Sequence, residues 1–266
     1  MTAPQRIHTL VFDLDDTLYP ERDFVFSGFR AVDEWLRAER GTAGFAEDAV
    51  RLFNSGQRGR IFDEVLAGKG VADAPALVPQ LVAIYRTHTP RIALTAETEA
   101  FLTWAQTRFR LALISDGYLE TQMKKVTALG LKRWIECVVL SDQWGREAWK
   151  PSERPFQEVI ARLPGEAAGY VYVADNPGKD FIAPRRLGWR TVRLRRRDGE
   201  HALQEPGPGA AADVEISALG ELRSEIRDRR SEIGGRRSVV CSPRSVVFWR
   251  DLTASFRLSS QRSAKG

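Results

Sequence analysis

The chain has 266 residues, 43% of them hydrophobic and 28% charged, which is typical of a water-soluble globular protein with one large or two modest domains. No apolar run approaches the roughly 20 residues that span a bilayer, and no apolar signal region opens the chain, so we expect a cytoplasmic protein that does not contact membranes. The two cysteines, Cys137 and Cys241, do not suggest a disulfide framework.

The formal net charge of +5 comes from the C-terminal segment. Residues 231–266 contain seven basic and two acidic residues, so residues 1–230 are neutral overall. A basic surface would suggest nucleic-acid binding, but here the excess charge is confined to the end of the chain. We therefore expect no nucleic-acid partner, and we interpret residues 231–266 as a poorly ordered basic tail.

The first predicted element is a short buried strand, because Leu10, Val11 and Phe12 form a continuous apolar run. Residues 21–92 contain no convincing strand. Their apolar spacing instead predicts helices at residues 23–40, 45–53, 60–66 and 76–87. We place Pro79 in the first turn of the fourth helix, where a proline is tolerated. The whole stretch is interpreted as a helical insertion.

From residue 93 onward the pattern alternates between helices and strands. Strands are predicted at residues 110–114, 137–140, 170–174, 189–192 and 214–216. Helices are predicted at residues 96–107, 119–129, 152–163, 180–187 and 218–229. This alternation favours an α/β fold in which a parallel sheet carries helices on both faces.

Carboxylates follow the first strand directly, at Asp13, Asp15 and Asp16. Side chains alternate along an extended chain, so we expect Asp13 and Asp15 to point the same way. Two close carboxylates repel each other, and a divalent cation relieves that repulsion. The segment therefore predicts a metal site at the carboxyl edge of the sheet. The simpler alternative is an acidic turn in which Asp16 or Thr17 caps a helix.

Polar groups also follow three later strands. Ser115 ends the second strand, Lys150 follows the third, and Asp175 and Asp180 follow the fourth. Taken singly, such residues are most often helix caps or surface loops. In a parallel sheet, however, all these strand ends lie at one edge. Together with the first motif they supply a nucleophile, an acid/base, a hydroxyl donor, a cation and a metal-binding acid.

In this order, the motifs resemble those of the haloacid dehalogenase-like hydrolase superfamily, over residues 7–230. The four motifs of that family correspond here to Asp13-Leu14-Asp15-Asp16-Thr17, Leu111–Ser115, Lys150-Pro151, and the pair Asp175 and Asp180. The resemblance implies a Rossmann-like catalytic core formed by residues 1–20 and 93–230. It also implies that residues 21–92 form an α-helical cap, inserted between the first and second motifs.

The resemblance further implies a Mg²⁺-dependent phosphatase. Asp13 would form an aspartyl-phosphate, and Asp15 would protonate the leaving oxygen and then activate water. Mg²⁺ would bind Asp13, the backbone carbonyl of Asp15, and Asp175. Dehalogenases of the superfamily lack an acid at the position of Asp15, so dehalogenation is not expected.

Three further groups complete the predicted site. Ser115 and the backbone N–H of Asp116 would hold phosphoryl oxygens. Lys150 would neutralise charge as the two anions approach, and Asp180 would orient Lys150 or a metal-bound water.

The expected substrate is a small phosphorylated metabolite, with nucleotides and sugar phosphates as first candidates. Possible specificity residues are Arg22, Arg58 and Arg60, although solvated arginines are an equally reasonable interpretation. A phosphomutase, or a binding or regulatory protein without turnover, remains an alternative. The sequence leaves the oligomeric state open.

Overall fold

The computed structural model describes residues 6–227. In this part of the chain, the strands form one parallel sheet in the order β3-β2-β1-β4-β5-β6. The strands are β1 (Thr9–Phe12), β2 (Arg110–Ser115), β3 (Cys137–Leu140), β4 (Tyr170–Ala174), β5 (Arg190–Leu194) and β6 (Val214–Ile216). The predicted basic tail, residues 231–266, lies outside the described residues.

Strand β1 occupies the middle of the sheet, between β2 and β4. Phe12 is in register with Leu113 of β2 and with Val173 of β4. All three strands are parallel, so their carboxyl ends are neighbours. The first, second and fourth sequence motifs, which follow these strands, are therefore brought to one edge of the sheet.

Helices cover both faces of this sheet. They are α5 (Ala96–Gln106), α6 (Leu119–Ala128), α7 (Arg154–Arg162), α8 (Ile182–Arg186) and α9 (Leu222–Arg227). Leu10 and Phe12 pack with residues of α5, α6 and α9, whereas Val11 packs with residues of α7 and α8. This alternation follows from the period of two along a strand. The predicted Rossmann-like α/β architecture is confirmed.

Four helices separate β1 from α5. They are α1 (Glu21–Arg40), α2 (Phe45–Asn54), α3 (Ile61–Gly68) and α4 (Ala74–Thr87). They have a core of their own, which includes Phe29, Phe45 and Leu81. Helix α1 ends at Gly41, whose φ of 63° allows its N–H to donate to the carbonyl of Leu36. The boundaries of the predicted cap, residues 21–92, remain a prediction.

The structure corrects one local prediction and refines others. Helix α4 begins at Ala74, because Pro75 occupies its first turn, so Pro79 lies inside the helix rather than in the first turn. Strand β5 begins one residue later than predicted and extends to Leu194. Among the described residues, no helix is long and apolar enough to cross a membrane.

Candidate active site

The centre of the candidate site is a buried ion-pair cluster around Lys150. The Lys150 Nζ contacts Asp13 Oδ1 and lies 2.7 Å from Asp180 Oδ1. It also donates to the Tyr172 hydroxyl at 3.0 Å. The side chains of Lys150 and Asp180 are fully buried. Asp13 is fixed from the sheet side, because its backbone N–H donates to Val173 O at 2.9 Å.

This burial strengthens the electrostatics of the cluster. Burial disfavours the charge on Lys150, but Asp13 and Asp180 outweigh it and raise the Lys150 pKa well above its ordinary value. Burial raises the pKa of Asp13 to about 7, with Lys150 opposing the shift and Asp180 adding to it. Lys150 therefore remains a cation at neutral pH beside the predicted nucleophile.

Asp175 follows β4 at the same edge and is almost buried. Burial, and after it the charges of Asp13 and Asp180, raises the pKa of Asp175 to about 9. Ionising Asp13 and Asp175 at the same time is costly. These two carboxylates therefore form a donor set suited to a hard divalent cation such as Mg²⁺. Within residues 6–227 no group of three or more His, Cys, Asp or Glu side chains is arranged to hold a metal. The predicted Mg²⁺ site needs only two such side chains and one backbone carbonyl, so these residues fit it.

Asp116 ties together the loops that follow three strands. Its Oδ1 accepts hydrogen bonds from Ser141 Oγ at 2.7 Å and from the Lys150 backbone N–H at 3.2 Å. Its Oδ2 accepts from Lys179 Nζ at 2.8 Å. Burial alone would raise the Asp116 pKa, but Lys150 and Lys179 hold it below its ordinary value. Neighbouring Ser115 is buried and donates to Gln122 Oε1 at 3.3 Å.

Asp15 binds a different lysine from the one that Asp13 binds. The Lys125 Nζ lies 2.7 and 2.8 Å from the two carboxylate oxygens of Asp15. The Tyr19 hydroxyl also donates to Asp15 Oδ1, at 2.5 Å. The two aspartates have separate partners because the regular strand ends at Phe12.

Asp16 has a structural role at the start of the helical insertion. Its two carboxylate oxygens accept the backbone N–H groups of Glu21 and Glu200, each at 2.8 Å. Glu21 is the first residue of α1, whose first N–H groups have no partner within the helix. Asp16 therefore satisfies one of these N–H groups, although the N-cap position itself is occupied by Pro20. Asp16 also connects α1 to the loop after β5.

The three arginines proposed for specificity line one cavity of about 740 Å³. Two of them, Arg22 and Arg58, form ion pairs with the loop after β5. The Arg58 guanidinium binds both carboxylate oxygens of Glu200, at 2.8 and 2.7 Å, and Arg22 lies 3.6 Å from Asp198. Arg60 immediately precedes α3 and has an unusual φ of 27°.

The rest of the cavity wall is partly apolar and partly acidic. Its apolar residues come from α1, α2, α3 and α4, and they include Val25, Phe29, Phe53, Phe62, Val78, Val82 and Tyr85. Its acidic residues are Asp16, Glu21, Asp63, Asp198 and Glu200. The Arg58 guanidinium lies 3.8 Å from the centroid of the Phe53 ring. The cavity therefore combines an aromatic and aliphatic wall with charged groups.

Sequence reasoning missed several residues that contact the predicted site: Tyr19, Gln122, Lys125, Ser141, Tyr172 and Lys179. One signal was available for two of them. Gln122 and Lys125 are three residues apart on α6 and so lie on the same helix face, yet both are buried. The sequence shows only this spacing just after the second motif, and the burial that points to a contact with the site is visible in the structure alone.

Known proteins are similar to this chain over most of its length. A family model described as haloacid dehalogenase-like hydrolase matches residues 10–194. A glyceraldehyde 3-phosphate phosphatase of Methanopyrus kandleri is 30% identical over 235 residues, which cover 84% of this chain and 98% of that protein. A phosphoserine phosphatase of Thermus thermophilus is 31% identical over 193 residues, covering 71% of this chain and 72% of its own.

Solved structures share the fold. A putative HAD-hydrolase of Bacillus subtilis, bound to magnesium, superposes with a TM-score of 0.58 at 20% identity, covering 84% of this chain and 99% of that one. With the phosphatase relatives, these findings confirm the prediction of a phosphoric monoester hydrolase. The chain thus belongs to the haloacid dehalogenase-like hydrolase family.

Proposed function

We propose that this enzyme is a Mg²⁺-dependent phosphatase that hydrolyses a small phosphorylated metabolite through an aspartyl-phosphate on Asp13. The observation that carries the proposal is the buried contact between Lys150 and Asp13, with Asp180 holding Lys150 from the other side. A carboxylate nucleophile must approach an anionic phosphoryl group, and a fixed cation beside it reduces their repulsion.

In the first step, a carboxylate oxygen of Asp13 forms a bond to phosphorus as the bond to the leaving oxygen breaks. Asp15 gives its proton to that leaving oxygen, so the product leaves as a neutral alcohol. Lys150 keeps its positive charge beside the reacting groups, since Asp13 and Asp180 raise its pKa. Ser115 and the backbone N–H of Asp116 bind the phosphoryl oxygens.

In the second step, Asp15 takes a proton from a water molecule. The water oxygen bonds to phosphorus while the bond to the Asp13 oxygen breaks, and inorganic phosphate is released. Asp15 is again protonated and Asp13 is again a free carboxylate, so the cycle closes. When bound, Mg²⁺ would be held by Asp13, Asp175 and the backbone carbonyl of Asp15, and it would supply further positive charge at the phosphoryl group.

The cavity lined by Arg22, Arg58 and Arg60 favours a substrate with a small organic leaving group. Its volume of about 740 Å³ lies within the range of sites that bind small molecules. Similar proteins act on glyceraldehyde 3-phosphate and on phosphoserine, both small phosphate monoesters. We therefore retain small phosphorylated metabolites, with nucleotides and sugar phosphates among the candidates, as the proposed substrates.

The test is phosphate release from a panel of metabolite phosphates and a generic aryl phosphate, with Mg²⁺ and with EDTA. We expect turnover that requires Mg²⁺ and is lost in Asp13→Asn, a substitution that keeps size and removes the nucleophilic charge. Turnover by Asp13→Asn equal to that of the wild type would contradict the proposal. Searching for isomerised substrate distinguishes hydrolysis from a phosphomutase reaction.

A further inference from the structure

We propose that Lys125 of α6 is a positioning residue for Asp15, the acid/base of the proposed function, on which this inference rests. The Lys125 Nζ is within hydrogen-bond distance of both carboxylate oxygens of Asp15, at 2.7 and 2.8 Å. A two-point contact of this kind fixes the rotation of the carboxylate as well as its position.

Because the pair of Lys125 and Asp15 is largely buried, the loss of either partner is costly. Lys125 is 2% exposed, whereas the Asp15 side chain is 19% exposed. A buried ammonium group requires a counter-ion, because removing one partner of a buried pair is strongly destabilising. Asp15 provides that counter-ion whenever it is ionised, as it is between its two proton transfers, and its carboxyl group is held on the side from which Lys125 approaches.

Lys125 also connects Asp15 to the helical insertion. Its Nζ lies 4.3 Å from the centroid of the Phe24 ring, close enough for a cation–π interaction. Phe24 is a buried residue of α1. The position of the ammonium group therefore depends on two helices: α6, which covers one face of the sheet, and α1 of the insertion.

One turn earlier on α6, Gln122 forms a parallel link. Its Nε2 lies 3.5 Å from Asp15 Oδ2, and its Oε1 accepts from the Ser115 hydroxyl at 3.3 Å. Gln122 packs so close to Gly117 that a Cβ there would lie 2.4 Å from its Nε2. Helix α6 thus presents two polar side chains, Gln122 and Lys125, toward the residues of the first and second motifs.

The consequence for the reaction is specific. The contacts of Lys125 are to Asp15 and Phe24, so it acts on the reaction through the placement of Asp15. Both proton transfers assigned to Asp15 depend on that placement, and general acid–base catalysis contributes about 10²- to 10⁴-fold to rate. Losing the placement should remove part of this factor, about 10- to 100-fold in kcat, with little change in KM.

The test compares Lys125→Met with Lys124→Met. The neighbouring lysine pairs with Glu120 at 2.9 Å, so the control removes the same charge from the same helix. The substrates are an alkyl phosphate, whose leaving oxygen needs a proton, and dinitrophenyl phosphate, whose leaving group does not. Lys125→Arg restores a positive charge, and thermal melting of each variant verifies that it is folded.

We expect Lys125→Met to hydrolyse the alkyl phosphate about 10- to 100-fold more slowly than the wild type, with partial recovery in Lys125→Arg. With dinitrophenyl phosphate it should release a burst of dinitrophenolate, about one per enzyme, and then turn over slowly, because water activation still needs Asp15. Lys124→Met should resemble the wild type with both substrates.

An equal loss on both substrates without a burst, or wild-type turnover by Lys125→Met, would overturn the inference. The variants distinguish the role of Lys125 from the proposed function. If Asp13→Asn is inactive but Lys125→Met behaves as the wild type, only the role of Lys125 is wrong. If Asp13→Asn retains full turnover, the proposed function itself is wrong, whatever the Lys125 variants do.

Discussion

Asp175 should make the metal-free protein less stable as pH rises, and Asp175→Asn should remove much of that dependence. Its pKa is raised from 3.8 in the unfolded chain to about 9 in the folded one. Between these values the folded state keeps a proton that the unfolded state has lost. The stabilising contribution is therefore complete below about pH 4 and declines as pH rises toward 9.

The expected size follows from the linkage slope. Each pH unit in this window costs about 1.36 kcal/mol for one proton. From pH 6 to pH 8, Asp175 alone should lower the free energy of unfolding of the metal-free wild type by about 3 kcal/mol. Asp13 and Glu21, whose pKa values are raised to about 7 and about 8 mainly by burial, add to the slope in both proteins. The difference between the wild type and Asp175→Asn therefore measures Asp175 together with its interaction with Asp13.

The assay is urea unfolding in EDTA at pH 6 and pH 8 for the wild type, Asp175→Asn and the exposed control Glu39→Gln. We expect Asp175→Asn to lose about 3 kcal/mol less stability than the wild type over this interval. Saturating Mg²⁺ should stabilise the wild type more at pH 8 than at pH 6, because the metal competes with protons. An unchanged slope in Asp175→Asn, or the same loss of slope in Glu39→Gln, would refute the reasoning.

Three further predictions follow from the site geometry. Lys150→Met leaves two buried carboxylates without their cation, so kcat should fall by about 10²- to 10³-fold in a phosphate-release assay. Arg58→Ala removes an exposed ion pair to Glu200, so its free energy of unfolding should change by less than about 1 kcal/mol while KM rises. Gly117→Ala imposes a φ of 119° on a side-chain residue and crowds Gln122, so thermal melting should show a loss of about 1–3 kcal/mol.

Lys150→Met and Gly117→Ala have matched controls, and Arg58→Ala has a contrary result. Lys69→Met, on the helical insertion, removes a lysine that pairs with Asp48 instead of with the site, so it should leave kcat unchanged. An Arg58→Ala variant with unchanged KM for every substrate tested would remove Arg58 from the specificity residues. Gly56→Ala places a Cβ in open space at a similar positive φ of 91°, so it separates backbone strain from the contact that Gly117→Ala introduces.

The order of elements could be predicted from the sequence because it depends on local periodicity. Apolar runs such as Leu10 to Phe12 indicated buried strands, and the change to helical spacing after Pro20 indicated the insertion. Helix ends were less certain, because Pro75 and Pro79 both fit a first turn and only the packing of α4 distinguishes between them. Asp13, Ser115 and Asp175 could be predicted because each lies at the end of a predicted strand, where topology fixes the edge. Lys150 and Asp180 lie further along the loops after β3 and β4.

Three properties could be predicted from the sequence: the type of fold, the strand ends that meet, and the chemistry that Asp13, Ser115 and Lys150 can offer. These follow from residue types and spacings a few positions apart. The tertiary structure alone shows that Lys125 is the ionic partner of Asp15, which lies 110 residues away in the chain. It also shows that Arg58 is paired with Glu200, 142 residues away. Such contacts join helices and loops whose relative positions depend on packing over the whole sheet, and no local pattern encodes them.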